Sequence, residues 1–249
     1  MPSTPSSRRR EGDAIAIPGD YQARAFRSSR RAQRFWHEAK VRLIERMACP
    51  GATDHVLDAG CGSGVISHFL AGQCASVVAN DSNPAAIQFA RETFRDPNLH
   101  FFLGQLQTVD GYGPFDWIYV LEVIEHLYQE QVEELLCIFK GMIKPGGHLF
   151  LTTPNYKSTW PLMERVLDQL KLVPQLAQAQ HVSRFTNASL QSACKEAGWT
   201  IVRSGAFNAF APLVAGLNYG AALYLENLEF NWSRRLPGNL LFCLCRADA

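Results

Sequence analysis

The stretch Val56-Leu57-Asp58-Ala59-Gly60-Cys61-Gly62-Ser63-Gly64 constrains this chain more than any other. An apolar run that closes on an acid reads as a buried strand. Glycines at alternate positions then strip the Cβ atoms from the turn, so its backbone can take positive φ and approach a ligand closely. Val65 to Leu70 continues as a helix. The turn therefore sits at a helix N-terminus, whose unpaired N–H groups favour an anion. Two glycines alone would fit an ordinary tight βα turn equally well; strand, glycine turn and helix together form a nucleotide-type ligand site.

The spacing narrows the ligand. The glycines run G-x-G-x-G, because Val65 stands where a dinucleotide fingerprint places its third glycine. A second strand, Ser76 to Asn80, ends at Asp81, about 20 residues on, where a carboxylate can accept from two ribose hydroxyls. Phe115 to Val120 reads as a further strand, followed by the E-x-x-E-H segment Glu122 to His126. Ile143-Lys144-Pro145-Gly146-Gly147 leads into another strand, His148 to Thr153, then Pro154-Asn155. In this order, over roughly residues 50 to 205, these segments resemble the class I S-adenosylmethionine-dependent methyltransferases. The resemblance implies S-adenosyl-L-methionine as cofactor, bound by Asp58, Gly60, Cys61, Gly62, Asp81, Gln105, Leu106 and Leu121. Gln105 departs from the acid that the family frequently has there, but its carbonyl can still accept from an adenine amino group.

Methyl transfer from a sulfonium is an in-line displacement, so the enzyme aligns the acceptor and, for a hydroxyl, removes its proton. If Glu122, Glu125 and His126 open a helix after the fourth strand, Glu122 and His126 stand one turn apart on one side. His181 lies further on and can return to the same crevice. Two chemical readings stay open beside a structural or substrate-orienting role for these side chains. In one, His126, with Glu125, is the catalytic base. In the other, Glu122, Glu125, His126 and His181 hold a divalent cation such as magnesium or zinc. That pattern is similar to metal-assisted members of the superfamily, among them small-RNA 2′-O-methyltransferases and ubiquinone-biosynthesis O-methyltransferases.

At 249 residues and 47% hydrophobic content, the chain can hold one sizeable core. Its seven cysteines form no CxxC pair. Cys243 and Cys245 alternate in a strand-like run and should face the same side. With no signal peptide recognisable, the expectation is reduced thiols and a cytoplasmic location. Charge is uneven: residues 1 to 42 carry ten Lys/Arg against four Asp/Glu, a net +6, so the remainder is −5 against the chain's total of +1. Residues 1–19 read as a disordered basic tail and 20–249 as a single domain. From Arg24 to Arg42 aromatic residues interleave with the charges, which suits nucleic acid or anionic lipid, but a solvated helix face is the favoured reading.

Strands expected at 55–59, 76–80, 99–103, 115–120, 147–153, 200–204 and 240–245 alternate with helices near 35–47, 64–72, 84–94 and 128–142. This order implies an α/β fold: a Rossmann-like, doubly wound, mostly parallel sheet with an antiparallel last strand and helical cap insertions. The caps fall near 156–186 and 206–236. In the first, Trp160, Leu162, Met163, Val166, Leu167 and Leu170 recur at helical spacing. In the second, Ala206 to Leu225 has no Asp, Glu, Lys or Arg, yet Asn208, Pro212, Gly216, Asn218 and Gly220 interrupt it and argue against a membrane span. Leu217, Ala221, Tyr224 and Leu228 form a stripe read first as a buried cap, then as a homodimer contact, then as an interfacial helix meeting a membrane surface. The leading expectation is O-methylation of a small apolar acceptor: a quinone, a lipid or a secondary metabolite. The alternatives are an RNA 2′-O-methyltransferase, disfavoured by the acidic main body, and a catalytically silent cofactor-binding partner subunit.

Overall fold

Apolar runs of five to eight residues become strands where both sheet faces are covered, and the computed structural model shows that arrangement over residues 17–105, 112–169 and 181–248. The strands are β1 (His55–Ala59), β2 (Ser76–Asp81), β3 (Leu99–Leu103), β4 (Phe115–Leu121), β5 (Ile143–Pro154), β6 (Thr200–Phe207) and β7 (Leu240–Arg246). They lie in the order β3-β2-β1-β4-β5-β7-β6. Strands β1 to β5 pair in parallel, while β7 runs antiparallel to both β5 and β6. Chain progression reverses between β1 and β4, which opens a crevice at the carboxyl ends of those two strands.

Helices cover both faces. They are α1 (Tyr21–Phe26), α2 (Arg31–Met47), α3 (Val65–Ala71), α4 (Pro84–Thr93), α5 (Gln129–Met142), α6 (Trp160–Gln169), α7 (Asn187–Glu196), α8 (Ala211–Ala215) and α9 (Tyr219–Asn231). In β1, Leu57 and Ala59 face α5 and α7, while Val56 faces α2 and α3. Helix α5 shows why such a segment docks: Val132, Leu135, Leu136 and Phe139 recur at helical spacing and all are buried. Burying each side chain of that size contributes about 2 kcal/mol. Helix α4 starts as Ser82-Asn83-Pro84 suggests, with the Asn83 side chain accepting from Ala85 N at 3.0 Å and Pro84 in the first turn. Cys243 and Cys245 share a side of β7, their sulfurs 3.5 Å apart.

Three expectations are corrected. Glu122 does not open a helix: its φ is 57°, its N–H donates to Thr152 O, and a single 3-10 turn follows at Ile124–His126 before α5 begins. The bend lets Val123 pack over Gly60, whose missing Cβ would lie 2.4 Å from the valine side chain. The basic stretch is not simply a solvated face either. It divides into α1 and α2, with Phe35, His37 and Lys40 turned inward. Finally, the stripe Leu217, Ala221, Tyr224 and Leu228 points outward, so it is no buried cap. The tail before residue 17 and the cap residues 170–180 lie outside the described residues.

Candidate functional site

The glycine turn is built around two carboxylates. Asp58, the next-to-last residue of β1, is buried, and Ser67 Oγ in the first turns of α3 donates to it at 2.6 Å. Burial pushes the Asp58 carboxyl up to about 6, the Ser67 hydrogen bond pulls against this, and nearby Asp81 adds to the rise. Gly60 and Cys61 both donate to Asn80 O at 2.9 Å, which ties the turn to β2. Gly62, at φ 51°, donates from its N–H to Asp81 Oδ2 at 2.8 Å, while Asp81 Oδ1 accepts from Asn83 N at 2.8 Å. Burial lifts the Asp81 carboxyl above its ordinary value despite those two N–H donors. Cys61 is buried, and burial first, then Asp58 and Asp81, raises its thiol far above the ordinary range. It is held as a neutral thiol, not a nucleophile.

Leu121 closes β4, buried beside Thr152 of β5. Gln105 is exposed two residues beyond the end of β3, on the edge where Gly104 N donates to Asp81 O. Leu106 lies outside the described residues.

A strap ahead of α2 crosses this turn. Ser63 N donates to Gln22 Oε1 at 3.2 Å, and a Cβ on Gly62 would lie 2.4 Å from that same oxygen. On the other side Asn83 Nδ2 donates to Ile17 O at 3.0 Å. Gly19 passes so close to α4 that a Cβ would fall 2.2 Å from Ala85 O. Sequence reasoning missed Gln22. The Pro18-Gly19-Asp20 turn signal ahead of Tyr21 was the available clue that a helix starts there.

The E-x-x-E-H segment divides into two groups. Glu122 turns toward α2 and pairs with buried Lys40. Burial acts to raise the Glu122 carboxyl, but Lys40 and then His37 outweigh it and leave it below its usual value. Next to this pair, burial and then Lys40 push His37 down to about 3, while burial and then Glu122 push Tyr21 up to about 12. The second group is Glu125, His126 and His181, which place one ligating atom each within 4.8 Å of one another. His181 arrives because Val182 N and Ser183 N donate to Glu125 O at 2.9 and 3.0 Å. Glu125 is buried and accepts from Thr153 Oγ1 at 2.9 Å. Burial raises its carboxyl to about 7, partly offset by His181. Tyr156 Oη meets His181 Nδ1 at 3.1 Å. The wall is aromatic: Trp36 stacks on Trp160 at 5.3 Å, and Trp160 lies 6.4 Å from His181. Trp160 Nε1 is buried and has no hydrogen-bond partner among the described residues.

Comparison with known proteins fits this geometry. The family model for a methyltransferase domain matches residues 28–204. The mitochondrial ubiquinone biosynthesis O-methyltransferase of Schizosaccharomyces pombe is 32% identical over 157 residues, covering 59% of this chain and 55% of that protein. The chain thus matches little more than half the length of that relative. Among solved structures, the N-methyltransferase NodS of Bradyrhizobium japonicum, in complex with S-adenosyl-L-homocysteine, superposes with a TM-score of 0.60 at 18% identity, covering 94% of this chain and 95% of NodS. A chain of the Haloferax volcanii complex between the Trm112 methyltransferase activator and a methyltransferase gives 0.64 at 19% identity, covering 94% and 98%. The family match spans well over half of the sequence and agrees with the sheet order and the glycine turn: this chain belongs to the methyltransferase domain family and is a class I, S-adenosylmethionine-dependent methyltransferase by fold.

Proposed function

We propose that this chain moves a methyl group from S-adenosylmethionine to an oxygen of a small apolar acceptor of the quinol, lipid or secondary-metabolite kind. The observation that carries the reading is the closure of the glycine turn on Asp81, with Gly62 N–H and the carboxylate 2.8 Å apart at the carboxyl edge of adjacent parallel strands. A cradle free of Cβ atoms beside an acid fits a ribosyl cofactor. In this reading Asp58, Gly60, Cys61, Gly62, Asp81, Gln105, Leu106 and Leu121 hold the cofactor. When bound, the cofactor supplies an electrophilic methyl on a sulfonium, whose S–C bond breaks as the acceptor O–C bond forms.

The chain's own task is to orient the acceptor and take up its proton. His126 and Glu125 serve as the acceptors of that proton, with His181 and Tyr156 fixing their surroundings. The Trp36–Trp160 stack supports an apolar or aromatic acceptor, as does the ubiquinone pathway in the relative's name. The Glu125, His126 and His181 cluster favours a second reading of the same site. One carboxylate oxygen and two imidazole nitrogens suit a zinc-like ion better than magnesium, which prefers oxygen ligands. Glu122 is a poor fourth ligand because Lys40 already holds it.

The test is transfer of labelled methyl from S-adenosylmethionine into quinol and catechol acceptors and into RNA, with and without a chelator. Label in the organic phase is expected. Asp81→Ala should weaken S-adenosylhomocysteine binding by at least about tenfold, the loss of one charge-assisted hydrogen-bonded group. Unchanged binding would sink the cofactor assignment. His126→Ala should lower kcat with cofactor binding intact, and loss of turnover in chelator, restored by zinc, would move the cluster from base to metal site.

A further inference from the structure

Helix α9 is built inside out. Its only charged residues, Glu226 and Glu229, are both buried. Glu226 accepts two hydrogen bonds from the Arg42 guanidinium at 2.7 and 2.9 Å. Glu229 accepts from the N–H groups of Ala209, Phe210 and Ala211 at 3.1, 2.7 and 3.0 Å. The outward face is left with Tyr224, 69% exposed, Leu228 and Trp232, and it continues at Leu217, 87% exposed, and Leu213, 63% exposed. A helix facing only water normally shows the reverse pattern.

The rim of this face has one sign. Across residues 206–239 the acids are Glu226 and Glu229, both turned inward, while the bases Arg234 and Arg235 are exposed. Arg34 lies over Tyr219 at 5.3 Å, Arg46 reaches Asn227, and Arg235 lies over Trp232 at 5.5 Å, so arginines flank the start, middle and end of α9. The nearest acid of α2, Glu38, is already engaged by Arg34, Arg42 and Tyr219. Glu45, the exposed acid of α2, sits toward Cys49.

We propose that the outward face of α8 and α9 docks on an anionic lipid surface, with Leu213, Leu217, Tyr224 and Trp232 entering the headgroup boundary and the flanking arginines on the phosphates. Charge decides against a second copy of the chain. A two-fold contact through this face would set one arginine rim against another, whereas a phosphate-bearing surface complements it. The segment lies on the surface rather than spanning it, since among the described residues no helix is long and apolar enough to cross. The face adjoins the crevice: on α2, Phe35 packs under Tyr219 at 5.2 Å while the next residue, Trp36, stacks on Trp160. An apolar acceptor dissolved in lipid would therefore lie close to the aromatic wall.

The experiment is co-sedimentation of the full chain with vesicles of phosphatidylcholine, alone or mixed with phosphatidylglycerol, at low and high salt, with sedimentation equilibrium of the free protein alongside. No turnover is read, so the outcome is separate from that of the methyl-transfer reading. Binding to the anionic vesicles is expected, weaker in high salt and on the neutral ones, with a blue shift of tryptophan emission that Trp232→Phe reduces. Leu217→Glu with Tyr224→Glu should lower partitioning by at least about tenfold, and Arg234→Glu with Arg235→Glu by about tenfold, each with an unchanged circular dichroism spectrum. Wild-type protein left in the supernatant with both vesicle types overturns the proposal. So does equal binding by the variants, or a vesicle-indifferent dimer that the Leu217→Glu, Tyr224→Glu protein cannot form.

Discussion

At Asp58 a buried carboxylate is held by one hydroxyl, and its raised pKa makes folding pH-dependent. The sign follows from where the proton sits. Burial lifts the folded-state value to about 6 from an ordinary 3.8, so the folded protein holds this proton over a range where the unfolded chain has released it. The cost is absent below about pH 4, grows up to about pH 6 and is complete above that. Asp58→Asn removes the titration but keeps an oxygen for Ser67. Its stability relative to wild type should therefore improve by about 2.5 kcal/mol between pH 4 and pH 7, measured by urea unfolding. A difference that stays flat with pH would show that the carboxylate is not desolvated. Asp58 and Asp81 were legible in the sequence because each ends an apolar strand at a set distance from the glycines. Gln22, His37 and Lys40 were not. Lys40 meets Glu122 across 82 positions of chain, and no local pattern announces such a contact. The left-handed backbone at Glu122 was equally invisible, since glutamate is not a residue type that signals positive φ.

Among the elements, strands were read to within a few residues because parallel strands covered on both faces leave continuous apolar runs, bounded here by glycine, proline and asparagine turns. Helix α9 is where periodicity falls short. Periodicity says that a stripe exists on a helix but not which side the molecule covers, and the tertiary partners of Glu226 and Glu229 decided that. The two acids are structural. Glu229 gathers three N–H groups at the start of α8, so Glu229→Ala strands buried donors and should cost about 3 kcal/mol. Glu229→Gln, which keeps one acceptor oxygen, should cost less. Equal losses in thermal unfolding would mean that those N–H groups find other partners. Tyr224→Ala, on the outward face of the same helix, should change stability by less than about 0.5 kcal/mol.

Across the whole molecule, the strap from Ile17 to Phe26 joins three parts that are far apart in sequence. It touches the glycine turn through Gln22, the β2–α4 junction through Ile17 and Gly19, and the α2 histidine through the Tyr21 and Phe26 rings. It presents exposed Arg24 to a protease, and exposed Arg27 directly follows Phe26. Saturating S-adenosylhomocysteine should slow tryptic cleavage at these two arginines severalfold relative to cleavage elsewhere, because a ligand that binds only the closed form shifts the opening equilibrium. Cleavage that is indifferent to the ligand would separate the strap from ligand binding at the glycine turn. A clasp of this kind also gives the two ends of the domain different mechanical standing. Strand β7 is laced between β5 and β6, so a load on the residues beyond Arg246 is borne by two ladders of hydrogen bonds. A load applied ahead of Ile17 is borne by a few contacts at the glycine turn and the β2–α4 junction. An affinity tag, a surface tether or a fused partner joined there would tug on the closure itself, and the far end is the safer handle.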